Sequence, residues 1–205
     1  MSPALWARVT LGVLAGALVA AAAPRSEDPD WPCQQRLVPR LTAAAYWSGP
    51  LDNEGDWRAD PEIAALVRRI APRRVTTEAG LAEIEAFAKT ATAARPRRLS
   101  LVFRGLLEET DRERTELIGQ LTQMGRRQRE LAELVGRLSD ELRSIPPDAA
   151  REAAEKRVDL QQRHDFTARN FAEIRRTIGY ACQAPVALDA RLGAWARALQ
   201  AAAFD

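Results

Sequence analysis

From Leu117 onward the apolar residues of this chain recur in alternating steps of four and three: Leu117, Leu121, Met124, Leu131, Val135, Leu138, Leu142 and Ile145, with Gln128 as a polar interruption. A repeat of that period, held for four heptads, keeps one face of a helix turned toward a partner helix. After Pro96 the next proline is Pro146, so one helix can run from residue 97 to Ser144, a rod of roughly 70 Å at about 1.5 Å per residue.

Ile145-Pro146-Pro147-Asp148 stops the rod, and Asp148 stands where a carboxylate caps a new helix reaching about Cys182. That second helix carries its own seam: Ala150, Ala153, Arg157, Leu160, His164, Thr167, Phe171, Ile174, Ile178 and Ala181. Two seams joined by a short Pro-Pro turn predict an antiparallel hairpin over 97–182. Facing positions then have numbers summing to about 295, which sets Gln128 against Thr167, Met124 against Phe171 and Leu131 against His164. The large apolar residues gather toward the open end, while alanines, Arg157 and His164 lie toward the tip. The core is therefore expected at the open end, with the tip projecting.

Shorter helices flank the hairpin. Asp60 before Pro61 is an N-cap with proline at the first helical position, followed by a stripe of Ile63, Leu66, Val67 and Ile70 that ends at Pro72. Thr76 or Thr77 opens another, with Leu81, Ile84, Phe87 and Ala88 on its buried face and a stop near Arg95 and Pro96. A last helix is expected over 186–203, started after Pro185 and striped by Leu188, Leu192, Trp195 and Leu199. The predicted fold class is all-α: a helical bundle with a long antiparallel coiled-coil hairpin, the short helices lying within 61–95.

Residues 23–60 interrupt any long period with Pro29, Pro32, Pro39, Gly49, Pro50 and Gly55. They read as an irregular strap with a short helix over Pro39 to Trp47. Trp31, Tyr46, Trp47 and Trp57 crowd into this strap, and such large side chains need somewhere to bury their area. They are expected to bind the strap to the helices. With Arg143 and Arg151 at the hairpin tip, they also make up the candidate interaction surface.

Arg8 followed by the uncharged run Leu11 to Ala23 has the form of a secretory signal peptide, residues 1–22, cut before Ala23. No later stretch is apolar enough to span a bilayer, so the mature form, a single domain over 23–205, is expected to have no transmembrane segment. Export, with the Arg- and Ala-rich usage of a GC-rich bacterial genome, points to the periplasm. In that oxidising compartment Cys33 and Cys182, the two cysteines of the chain, read as a disulfide between the strap and the end of the hairpin.

The remaining motifs exclude more than they assign. The 30 basic and 28 acidic residues leave a net charge of +2 without the basic stripe that nucleic acid requires. His164 is the lone histidine and has no ligand type at i+3 or i+4, so no metal site forms around it. Asp52-Asn53-Glu54-Gly55-Asp56 opens like a calcium loop, but Trp57 and Ile63 stand where glycine and a bidentate glutamate are required. There is no nucleophile elbow, no Gly-rich phosphate loop and no CxxC pair. The expectation is thus no catalytic residue, no cofactor and no metal. The chain reads as a non-enzymatic exported protein acting on another periplasmic or membrane-associated protein as an accessory, adaptor or chaperone-like factor, with self-association through the coiled coil left open. The alternative is a small-ligand or metal-binding module using a pocket between strap and bundle.

Overall fold

The computed structural model describes residues 28–51 and 55–204. The expected signal peptide, its cut site and Asp52 to Glu54 of the calcium-like stretch lie outside the described residues. The elements are α1 (Pro61–Ile70), α2 (Thr77–Thr90), α3 (Arg95–Ser144), α4 (Arg151–Ala181) and α5 (Gln183–Phe204), preceded by single 3-10 turns at Ala43–Ala45 and Trp57–Ala59. Among the described residues there is no strand; the fold is all-α.

Local chemistry sets the starts of α1 and α2. The Asp60 carboxylate accepts from the amides of Glu62 and Ile63 with Pro61 at the first position, and Thr76 Oγ1 accepts from Ala79 N. The Pro-Pro turn differs from expectation. Ala149 N closes a turn on Pro146 O at 3.3 Å, which absorbs Asp148, and α4 starts at Arg151 with Ala150 as an N-cap that makes no side-chain bond. At the other end of the turn, Arg157 Nη1 reaches the carbonyls of Leu142 and Ile145 at 3.1 and 2.7 Å. An arginine in a hydrophobic seam is thereby explained: it satisfies acceptors that the last turn of α3 leaves open.

The 50-residue α3 is longer than either neighbour, and two helices in series cover it. Leu121 clusters with Ile178 and Cys182, fixing the end of α4 beside the middle of α3. Cys182 alone separates α4 from α5, which begins at Gln183 rather than after Pro185. Pro185 sits in the first turn, where a missing N–H costs no intrahelical bond. Helix α5 then follows the first part of α3 in the antiparallel sense, since Trp47 packs on both Phe103 and Phe204, with ring centroids 4.9 and 6.2 Å apart.

The main core lies at this end, where α1, α2 and α5 close around Leu99, Val102, Phe103 and Leu106, with Trp195 and Leu199 fully buried. Gly80 is one requirement of that packing, because a Cβ there would stand 2.4 Å from the Trp195 ring. Arg191 locks the corner: its guanidinium donates to the carbonyls of Ala71, Pro72 and Val75 at 2.8, 3.0 and 2.9 Å, closing the end of α1. Farther out, Leu138, Leu142 and Leu160 form a separate small cluster near the tip.

Candidate interaction surface

The strap is held chiefly by side chains of α3 and α5 that grip its backbone. It runs antiparallel to α3. Asp30 lies against Gly125, and its carboxylate meets Arg126 at 3.0 Å and also Arg129. Arg114 donates to Val38 O, and Asp111 accepts from Leu41 N at 2.7 Å while pairing with Arg40 at 3.0 Å. Ser48 and Gln200 exchange two hydrogen bonds, at 3.0 and 2.7 Å. An irregular segment without neighbouring strand or helix bonds needs such partners for its backbone groups. For the same reason the expected helix over Pro39 to Trp47 shrinks to the turn Ala43–Ala45: Leu41 N is committed to Asp111, and Trp47 must reach Phe103.

Cys33 and Cys182 stand at disulfide distance, with their Cα atoms 5.7 Å apart and a sequence separation of 149. Gln35 reinforces the same junction by donating to Cys182 O at 2.7 Å, and Trp31 Nε1 donates to Gln35 O at 2.8 Å.

The strap aromatics do not form one face. Trp47 and Trp57 are each 4 % exposed and belong to the main core, so neither offers a docking face. Trp57 Nε1 donates to Glu108 at 2.9 Å, and Arg58 grips the same carboxylate with two bonds, at 3.0 and 2.7 Å. Those two donors, Arg58 first and Trp57 second, hold the Glu108 carboxyl below the usual carboxylate range. Tyr46 is half-buried and donates its hydroxyl to Asp189; burial, with that carboxylate, pushes the phenol well above its ordinary pKa. Trp31 is half-buried beside the cysteines. At the tip, Arg143 and Arg151 are exposed and each carries a local acidic partner, Asp140 and Glu155 respectively.

Neither a matching family model, nor a similar curated protein, nor a similar solved structure was found for this chain.

Two surfaces stand out beside the strap. One is the arm formed by α3 and α4 beyond Arg129. Among the described residues, its ion pairs and hydrogen bonds stay within those two helices and their turn, as with Lys156 and Glu141 at 3.3 Å. Among the described residues, its apolar cluster is built from these two helices and the turn residue Ile145. The other is a groove where the strap crosses the hairpin. It consists of two cavities of about 300 and 420 Å³, and beside them lies a surface hollow of about 460 Å³ lined by α4 alone. Phe171 is shared by the first and third, Gln128 and Pro32 by the first and second, and Arg175 by the second and third.

Gln128 therefore does more than interrupt a seam. Its expected partner Thr167 donates its hydroxyl to Arg163 O within α4, and Gln128 lines the groove instead. The polar break in the heptad pattern was the sequence signal for this site. Phe171 and Arg175 carried no comparable signal, because one fits a seam and the other a solvated face. No helix of the described residues is long and apolar enough to cross a membrane, and no group of three or more His, Cys, Asp or Glu among them could hold a metal ion. His164 lies part-exposed with Nδ1 3.1 Å from Asp165.

Proposed function

We propose that this protein is an exported, non-catalytic interaction protein of the periplasm, an accessory, adaptor or chaperone-like factor that meets a partner protein along its hairpin. The observation that carries the reading is the arm: a two-helix projection extending about 24 Å from Arg129 to Ile145, with a small apolar cluster of its own apart from the main core. A chain that spends so many residues outside its main core presents surface rather than encloses a substrate. Surface of this kind suits contact with another macromolecule. The paired cysteines and the polar grip on the strap support a secreted setting, in which a covalent tie between distant segments persists.

Crosslinking the exported protein in its own compartment, followed by affinity capture, tests this. A specific partner protein should be recovered, and charge reversal at Arg143 and Arg151 should weaken capture if the tip is the contact. Recovery of no specific protein would refute the reading. Edman sequencing of the exported chain should begin at Ala23; retention of residues 1–22 in secreted material would refute the processing. The alternative, a small-ligand module, draws support from the groove at the strap, since that groove lies between strap and hairpin as such a module requires.

A further inference from the structure

The groove at the strap crossing has a composition that selects among occupants. Its apolar lining comes from Trp31, Pro29, Pro32 and Phe171. Arg175 lines it from α4, the adjoining hollow on that helix adds Arg169 and Arg176 with Glu173 among them, and Asp30 lines the strap side. Among the described residues Arg175 and Arg176 make no ion pair or hydrogen bond. Their neighbours do have partners: Arg126 and Arg129 share Asp30, and Arg163 pairs with Asp159. The side-chain amides of Gln34, Gln128 and Gln183 also line the groove and, among the described residues, make no hydrogen bond. Helix α4 supplies lining residues from Arg169 to Cys182, a length of about 20 Å, which an extended chain spans in about six residues.

We propose that this groove binds an extended acidic peptide segment of a partner protein, seating apolar side chains on Trp31 and Phe171 and carboxylates on Arg175 and Arg176. The chemistry favours a peptide over other anions. Free amides present both donors and acceptors, which matches a backbone carrying N–H and C=O groups at every residue, whereas a phosphate headgroup would leave the acceptors unused. Guanidinium groups without partners complement carboxylates, and an aromatic and proline floor takes apolar side chains between them. Pairing of the groove with a second copy would require an exposed acidic apolar segment in the described chain. The exposed large apolar residues of α4, Val158, Phe166 and Tyr180, lie instead in a helix whose nearby charges are mixed. The proposal rests on the interaction-protein reading and names the partner's chemistry.

Fluorescence anisotropy with the oxidised, full-length mature protein tests it. The probe is a fluorescein-labelled octapeptide alternating Glu and Phe, compared with the peptide in which Lys replaces every Glu. The acidic probe should bind at least tenfold more tightly than the lysine probe. Arg175→Glu with Arg176→Glu should weaken it at least tenfold, and Phe171→Ala should weaken it severalfold. Arg143→Glu with Arg151→Glu, at the tip, should leave binding unchanged. Circular dichroism melts of each variant separate loss of binding from loss of fold, and the exposed arginine pair is the variant expected to melt as the parent does. Equal binding of both peptides, or indifference to the Arg175 and Arg176 changes, would overturn the proposal. Binding of phosphatidylglycerol vesicles in place of the peptide, or a groove closed by dimerisation in light scattering, would also overturn it. If the peptide fails while crosslinking still recovers a partner through the tip, the groove assignment falls and the interaction-protein reading stands.

Discussion

Single residues decide how closely the strap can lie on α3. A Cβ on Gly125 would stand 1.9 Å from the carbonyl oxygen of Asp30. Because the obstacle is backbone, relief requires moving the strap itself. Gly125→Ala should therefore destabilise the protein by about 1–3 kcal/mol, the range for overpacking a fitted contact, as measured by urea unfolding. It should also raise the mobility of Trp31 in fluorescence anisotropy. Glu108 makes a prediction in pH. Its folded-state carboxyl lies below the ordinary value because Arg58 and Trp57 donate to it, so its contribution is complete above about pH 4.3, the unfolded value. The contribution is lost as pH falls through the depressed folded value. Glu108→Gln should lower the melting temperature slightly at pH 7, and the gap from the parent protein should close as pH falls below 4. A gap that stays constant across that window would show that the carboxylate charge contributes nothing.

Element ends are satisfied here by long-range arginines where local caps are lacking. Asp60 and Thr76 are caps readable from sequence, because the capping residue and the amides it binds are two to three positions apart. Arg191 closes the end of α1 from 119 residues away, and Arg157 closes α3 across the hairpin turn. Neither contact was legible, since helical period places a side chain on a face, as it placed Arg157 in the seam, and says nothing of which distant carbonyls an arginine meets. Burial pushes the Arg191 pKa below its ordinary value, but an arginine remains charged and so serves these carbonyls at any physiological pH. Replacing it with methionine keeps volume and removes the donors. Arg191→Met should cost roughly 2–4 kcal/mol, the scale for stranding buried acceptors and losing charge-assisted bonds, as read by chemical denaturation. A loss below 0.5 kcal/mol, about the scatter of surface substitutions, would show that the three carbonyls find water instead.

For the molecule as a whole, core and arm have separate apolar clusters. Replacing residues 133–163 with a four-residue Gly/Ser linker should leave a cooperatively folding protein, since the main cluster and the strap contacts lie inside that cut. Hydrogen exchange on the intact chain should show the arm beyond Arg129 opening at lower free energy than Leu99 to Leu106. A deletion variant lacking a cooperative transition would show that the arm is part of the core. The cysteine pair acts at the same scale. Cys33→Ser with Cys182→Ser opens a loop of 149 residues and should lower stability by up to about 5 kcal/mol in the chain-entropy description. The strap should remain partly docked through Asp30, Val38, Leu41 and Ser48, which a trypsin digestion time course would reveal.

What this sequence determined by itself was the hairpin, its Pro-Pro turn and the amphipathic stripes that bury α1, α2 and α5. Hydrophobic period, proline and short-range caps are physical constraints that act between residues close in the chain. The expected end-of-hairpin core also followed, because apolar bulk is countable along a seam. Tertiary structure alone decided that α5 continues along α3 as the successor of α4, that Asp148 is spent in a turn, that Trp47 and Trp57 are core, and that Gln128, Phe171 and Arg175 share a groove. Each of those depends on which distant surfaces meet. Periodicity tells a side chain which face it occupies, whereas the strap's irregular backbone has no period and finds its place through hydrogen bonds to residues about 50 to 150 positions away.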